Sequence, residues 1–277
     1  MAPSTKPAPR AGPVPRSRLA VAIAAAVSAA LFFVASSALM APAARAAAPI
    51  FRGSSADGSI AFFETDQQMV PGDTDSQRDV YERSFDEDVG EAGAYVTREV
   101  STGPTGGNDA YPAQFEAASA DGSRVFFSTE ESLVAADTDR KADIYMHDLG
   151  TGATTLLSQG SASCAPGCGN GSFDAGIAAV DSGGDKLFFV TAEPLAEGDS
   201  DNAVDIYERN LSTETTTLVS VAAASCSGSC GNGSDPDNAV MWGLSADGST
   251  AFFTTPESLS TADTDSKIDI YARDLSE

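Results

Sequence analysis

Among its 277 residues the sequence has one histidine and four cysteines, and no sustained helical apolar period outside its N-terminal segment. The single histidine, His147, occupies the place held by Arg83, Arg209 and Arg273 in three sister segments, so it reads as incidental to any chemistry. No Gly-x-Ser-x-Gly elbow is present, which removes the hydrolase domain that would carry such a nucleophile. Phosphate loops and dinucleotide fingerprints are also missing. Basic residues are scarce, 16 Lys and Arg against 40 Asp and Glu. An excess of that sign repels phosphate backbones and excludes nucleic acid as a partner. With so many acids, chance pairs of carboxylates carry no information about glycoside chemistry.

What is present begins with a segment unlike the rest. Lys6, Arg10, Arg16 and Arg18 precede an apolar run from Leu19 to Met40, followed by Ala44-Arg45-Ala46, a small-x-small pattern. This order predicts a secretory signal over residues 1–46, cut after Ala46. The apolar run is also long enough for a retained membrane anchor. Both readings place residues 47–277 outside the cytoplasm. All the acids follow residue 46 and five of the basic residues precede it, so the exported part carries 11 − 40 = −29. The four cysteines lie there too, as "CAPGC" and "CSGSC". In an oxidising compartment the spacing predicts two local disulfides, Cys164–Cys168 and Cys226–Cys230. A zinc site drawing two thiolates from each loop is the alternative.

Internal repetition dominates from residue 50 onward. "SADGSIAFFET" (55–65), "SADGSRVFFST" (119–129), "DSGGDKLFFVT" (181–191) and "SADGSTAFFTT" (245–255) align without gaps, at spacings of 64, 62 and 64 residues. Each is followed by an acidic loop and then by "DVY" or "DIY". Within the second unit, "QFEAAS", "RVFFSTE", "DIYMHDL" and "TTLLSQ" are separated by an Asp-Gly turn, the acidic loop and a Gly-Thr-Gly turn. The pattern predicts a four-stranded antiparallel meander. Phe126 and Phe127 are adjacent and so point to opposite faces of a strand, as do Ile144 and Tyr145. Each small sheet is therefore apolar on both faces and must be covered on both sides. An all-β propeller, its sheets covered by their own copies, satisfies this; a linear stack of repeats is the alternative.

These segments resemble the TolB-like, WD40-like (PD40) β-propeller repeat of bacteria, in its secreted subtype with "DTD…DIY" loops. The resemblance spans about residues 50–277 and implies a propeller, while leaving function open. The α/β domain that accompanies TolB's own propeller has no counterpart here. The fourth unit stops after its third strand, at "DIYARDLSE". The expectation is therefore a partial propeller, either a fragment of a longer one or one completed by self-association through its open edge.

The acidic loops supply the candidate metal ligands: Asp73, Asp75 and Asp79; Asp137, Asp139 and Asp143; Asp199, Asp201 and Asp205; Asp263, Asp265 and Asp269. Three carboxylates within seven residues, supplemented by backbone carbonyls, suit a hard cation such as calcium. The EF-hand pattern is not matched, since Gln77, Lys141, Ala203 and Lys267 fill its fifth position. The competing reading is structural. In it the aspartates close turns, the last of each triad accepts hydrogen bonds from the preceding loop, and Arg140 and Lys141 neutralise charge. No catalytic residue is assigned and no cofactor other than calcium is implied. Two functions fit: an exported non-catalytic module binding protein or cell-wall polysaccharide, or a calcium-stabilised domain of a secreted polysaccharide-active hydrolase or lyase.

Overall fold

The computed structural model describes residues 48–275, except 162–163, 165–167, 200–201, 223–225, 227–229, 231–237 and 246–247. The expected signal segment, residues 1–46, lies outside the described residues, as does Asp201. Among the described residues no helix is long and apolar enough to cross a membrane.

Adjacent aromatic and β-branched residues, such as Phe126-Phe127 and Ile144-Tyr145, favour the strand and point to its opposite faces. Sheet I contains β1 (Ile50–Ser54), β2 (Ile60–Thr65), β3 (Asp79–Asp86) and β4 (Ala94–Glu99). Sheet II contains β5 (Gln114–Ala118), β6 (Arg124–Thr129), β7 (Asp143–Asp148) and β8 (Ala153–Leu156). Sheet III contains β9 (Gly176–Val180), β10 (Lys186–Thr191), β11 (Asp205–Asn210) and β12 (Thr215–Leu218). Sheet IV has three strands, β13 (Val240–Leu244), β14 (Thr250–Thr255) and β15 (Asp269–Asp274). In every sheet the spatial order equals the chain order and all pairings are antiparallel. The second and third strands share one register throughout: Phe63 lies opposite Tyr81, Phe127 opposite Tyr145, Phe189 opposite Tyr207 and Phe253 opposite Tyr271. The first strand of each sheet carries an irregularity at the equivalent place, passing Arg52, Glu116 and Trp242 in sheets I, II and IV.

The sheets pack face to face in sequence, as the blades of a β-propeller. Each has a front that meets the preceding sheet and a rear that meets the following one. Phe62, Val80 and Val100 on the rear of sheet I pack with Val125, Phe127, Tyr145 and Leu156 on the front of sheet II. Phe126, Ile144 and Leu157 repeat this against Leu187, Phe189, Tyr207 and Leu218. Phe188, Ile206 and Val219 repeat it against Ala251 and Phe253. One ring of each Phe-Phe pair thus serves one seam and its neighbour serves the other. Phe62, Phe126 and Phe188 are wholly buried, but Phe252 is 40% exposed. This departs from the expectation that every such phenylalanine is covered, because nothing among the described residues packs on the rear of sheet IV.

Backbone hydrogen bonds also cross the seams. Ala56 donates to the Ala120 carbonyl at 2.7 Å and Ala120 to that of Ser182 at 2.9 Å, linking successive Asp-Gly loops. Ala113, Ala175 and Ala239 donate to the carbonyls of Arg78, Ala142 and Val204, just ahead of the preceding sheet's third strand. Both expected disulfides form, Cys164–Cys168 and Cys226–Cys230, with Cα atoms 6.2 and 5.8 Å apart. All four thiols are consumed, so the zinc alternative is overturned. A Cβ on Gly160 would sit 2.7 Å from the Cys164 sulfur, so the first disulfide rests directly on the backbone of the connection that follows β8.

Candidate metal centre

Each acidic loop leaves the second strand, turns and re-enters the sheet at the third. Its aspartates have distinct places. The first, Asp73, Asp137, Asp199 or Asp263, accepts a hydrogen bond from the tyrosine two residues into the third strand: Tyr81, Tyr145, Tyr207 or Tyr271. That tyrosine is stacked on the second-strand phenylalanine, with ring centroids 5.5–5.8 Å apart, so sheet packing fixes its hydroxyl. Burial and the neighbouring aspartate push the Tyr271 phenol up to about 12, and push the other three higher. These phenols stay protonated and act as donors.

The second aspartate closes its own turn. Asp75 accepts from the Gln77 amide at 2.6 Å, Asp139 from Lys141 at 2.7 Å and Asp265 from Lys267 at 2.9 Å. The backbone carbonyls of these three aspartates are held by Gln68, Ser132 and Ser258. The third aspartate opens the third strand. Asp79 Oδ1 accepts from Ser101 Oγ, and the same hydroxyl accepts the Val80 amide at 2.9 Å. Ser158 serves Asp143 and Ile144 alike, and Ser220 serves Asp205 and Ile206. The partner therefore comes from beyond the fourth strand, not from the preceding loop as the turn reading expected. Nor do Arg140 and Lys141 form ion pairs among the described residues: the basic residues of these loops that do are Lys267, with Asp265 at 2.6 Å, and Arg78, with Glu64 of the second strand at 3.9 Å.

The structure brings three of the four triads together. One carboxylate oxygen from each of Asp73, Asp75 and Asp79 lies within 4.8 Å of the other two. The same holds for Asp137, Asp139 and Asp143, and for Asp263, Asp265 and Asp269. In the remaining loop Asp199 and Asp205 are described and Asp201 is not.

The turn bonds leave part of the site unaccounted for. Asp73 Oδ1, Asp79 Oδ2 and Asp143 Oδ2 are buried without a hydrogen-bond partner, on side chains that are about 95% buried. An unpartnered buried carboxylate oxygen costs several kcal/mol unless it takes up a proton or a cation. Burial, reinforced by repulsion from Asp75, Asp73 and Glu131, lifts the Asp79 carboxyl to about 7. Burial with repulsion from Asp137, Asp139 and Glu193 lifts Asp143 to about 8. The donor set is oxygen only, hard and anionic, and fits calcium rather than zinc or a redox metal. In the fourth loop Asp265 and Asp269 are exposed, so desolvation does not reinforce that site.

Sequence reasoning missed several residues around these sites. Glu99 Oε1, in the first blade, is buried without a partner, and burial reinforced by repulsion from Asp79, Asp73 and Asp75 pushes its carboxyl to about 8. Asn108 accepts from the Thr74 amide at 2.5 Å and donates to the Gly72 carbonyl at 3.1 Å, gripping the first loop from the connection to sheet II. Asn170 grips the second loop through Thr138 and Ala136. That connection is held in turn by an acid of the following sheet: Glu131 accepts the amides of Gly107, Asn108 and Asp109, and Glu193 accepts that of Phe173. A signal existed, since Gly107-Asn108, Gly169-Asn170 and Gly231-Asn232 recur at 62-residue spacing.

No protein-family model matches this sequence, and no curated protein matches it. Among solved structures the chain is similar to one from a structural and mechanistic study of two prolyl endopeptidases, with 17% identity and a TM-score of 0.45. The match covers 84% of this chain and 28% of that one, so this chain spans less than a third of the endopeptidase. A likeness of that degree carries no argument, and the architecture rests on the strands and seams described above.

Proposed function

We propose that the chain is an exported, non-catalytic β-propeller module whose acidic loops hold calcium, and that it works as a cation-braced scaffold presenting its loops to a protein or cell-wall polysaccharide. The observation that carries the reading is the convergence of three carboxylates in the first, second and fourth loops, with buried oxygens of Asp73, Asp79 and Asp143 left over after the turn bonds are made. Asp73, Asp75 and Asp79 would hold one ion, and Asp137, Asp139 and Asp143 a second. Calcium supplies charge neutralisation there, and the chain supplies the cradle. Export is supported by the signal-like segment, by two disulfides that suit an oxidising compartment, and by the acidic balance of residues 47–277. The TolB-like resemblance of the repeats agrees with a module of this kind.

Calorimetric titration of the metal-free chain tests the metal. Calcium should bind with measurable heat and raise the melting temperature, and Asp79→Asn combined with Asp143→Asn should remove most of both. No heat and no rise in melting temperature would leave the aspartates as turn formers. Recovery of envelope material on the immobilised chain, with and without EDTA, tests the binding role. Recovery of nothing in either condition would sink it.

A further inference from the structure

The rear of sheet IV is an apolar face with no covering sheet among the described residues. Ile270 is 80% exposed, Trp242 73%, Val240 47% and Phe252 40%, with Ile268 beside them at 72%. They share one side: Trp242 Nε1 donates to Thr254 Oγ1 at 3.1 Å, Thr254 lies two residues from Phe252, and Val240 pairs with Thr254. Phe252 and Ile270 occupy the positions of Phe62 and Val80, Phe126 and Ile144, and Phe188 and Ile206, which build the three internal seams. Strand alternation puts a second such face at the other end. On the front of sheet I, Phe51 is 67% exposed and Tyr95 66%, while Phe63 stacks on Tyr81 as its counterparts do in every other sheet. Glu99 stands on this face where Leu156 and Leu218 stand in sheets II and III.

We infer that the rear of sheet IV docks on the front of sheet I of a second copy of this chain, extending the seam that already occurs three times within one copy. The occupant is specified by the seam chemistry. At the first seam Phe62 stacks on Phe115, from the first strand of the next sheet, with centroids 5.5 Å apart. Phe51 is the first-strand counterpart of Phe115, so the equivalent contact sets Phe252 on Phe51 of the partner subunit. The interface is heterologous, because each copy offers one face and receives on the other. It uses sheet faces, whereas the sequence-based expectation was pairing through an open strand edge. Association works against the repulsion of two chains with a formal charge of −24 each, so it strengthens with added salt.

Sedimentation velocity of the full chain, over about 1–100 μM, the range in which a modest interface populates, tests this with two variants. Phe252→Asp spoils only the rear and Phe51→Asp only the front. Both side chains are exposed, so each variant should keep the wild-type circular dichroism and melting curve. The wild type should gain mass with concentration and each variant alone should remain monomeric. An equimolar mixture of the two should again form a dimer, because one intact rear still meets one intact front. All these chains retain residues 1–46, so association through that segment would persist in each variant alone. A monomeric wild type, a Phe51→Asp chain that associates as the wild type does, or a mixture that stays monomeric would each overturn the proposal.

Discussion

His147 and its sister arginines Arg83 and Arg209 each contact a threonine of the fourth strand, whereas Arg273, in the three-stranded sheet, donates to the Val221 carbonyl. His147 Nδ1 lies 2.8 Å from Thr154 Oγ1, and that hydroxyl donates to the Thr102 carbonyl across the seam. Arg209 likewise donates to Thr216, whose hydroxyl reaches the Gln159 carbonyl at 2.6 Å. A threonine that donates to a carbonyl must accept from the ring, so the proton sits on Nδ1. Burial holds the His147 pKa below its ordinary value. The unfolded chain, titrating near about 6.5, then binds the proton more readily than the folded one. Stability contributed by the neutral ring is therefore present above that value and lost as pH falls through it. His147→Arg should give a shallower fall in melting temperature between pH 7 and pH 5 than the wild type. Equal slopes would assign the acid limb to other groups.

The elements repeat, but their surroundings do not, and the glycines of the Asp-Gly loops separate the two. Gly58 and Gly122 both have φ of +74°, a conformation that favours glycine. A Cβ on Gly58 would meet nothing within 4 Å, whereas one on Gly122 would lie 2.9 Å from the Ser55 Cβ of the preceding loop and 3.1 Å from Ile60. Gly58→Ala should therefore cost about 1 kcal/mol from backbone strain alone. Gly122→Ala should cost a further 1–3 kcal/mol or about that from overpacking. Urea midpoints of the two variants check the difference, and equal midpoints would contradict the packing of these loops. The strands themselves were legible, because adjacent aromatic residues and Asp-Gly turns act locally. The acidic loops were legible only as triads. Their tyrosine, serine and asparagine partners come from other strands or from the next connection, and no local spacing joins Ser158 to Asp143 or Asn108 to Thr74.

For the whole molecule, what matters is which faces have neighbours. Phe188 and Phe252 are the same position of the repeat, one sealed in a seam and one 40% exposed. Phe188→Ala should destabilise by about 3–5 kcal/mol, as expected for emptying a buried aromatic site. Phe252→Ala should change stability by less than about 1 kcal/mol, measured in chemical denaturation below the concentration at which copies associate. Comparable losses at the two positions would mean that the rear of sheet IV is covered. Sequence alone could not separate them, since "FF" reads identically in every unit and burial is decided by the neighbour.

The grip of Asn108 and Asn170 on the acidic loops has a consequence beyond the loops. Each asparagine belongs to the connection entering the following blade, and that connection is anchored by Glu131 or Glu193 of that blade. In the calcium-bound form proposed above, an ion among the aspartates would tighten a joint as well as a turn. Stripping it would then slacken adhesion from one blade to the next, and the calcium content of the surroundings would set how stiffly neighbouring blades resist being pried apart.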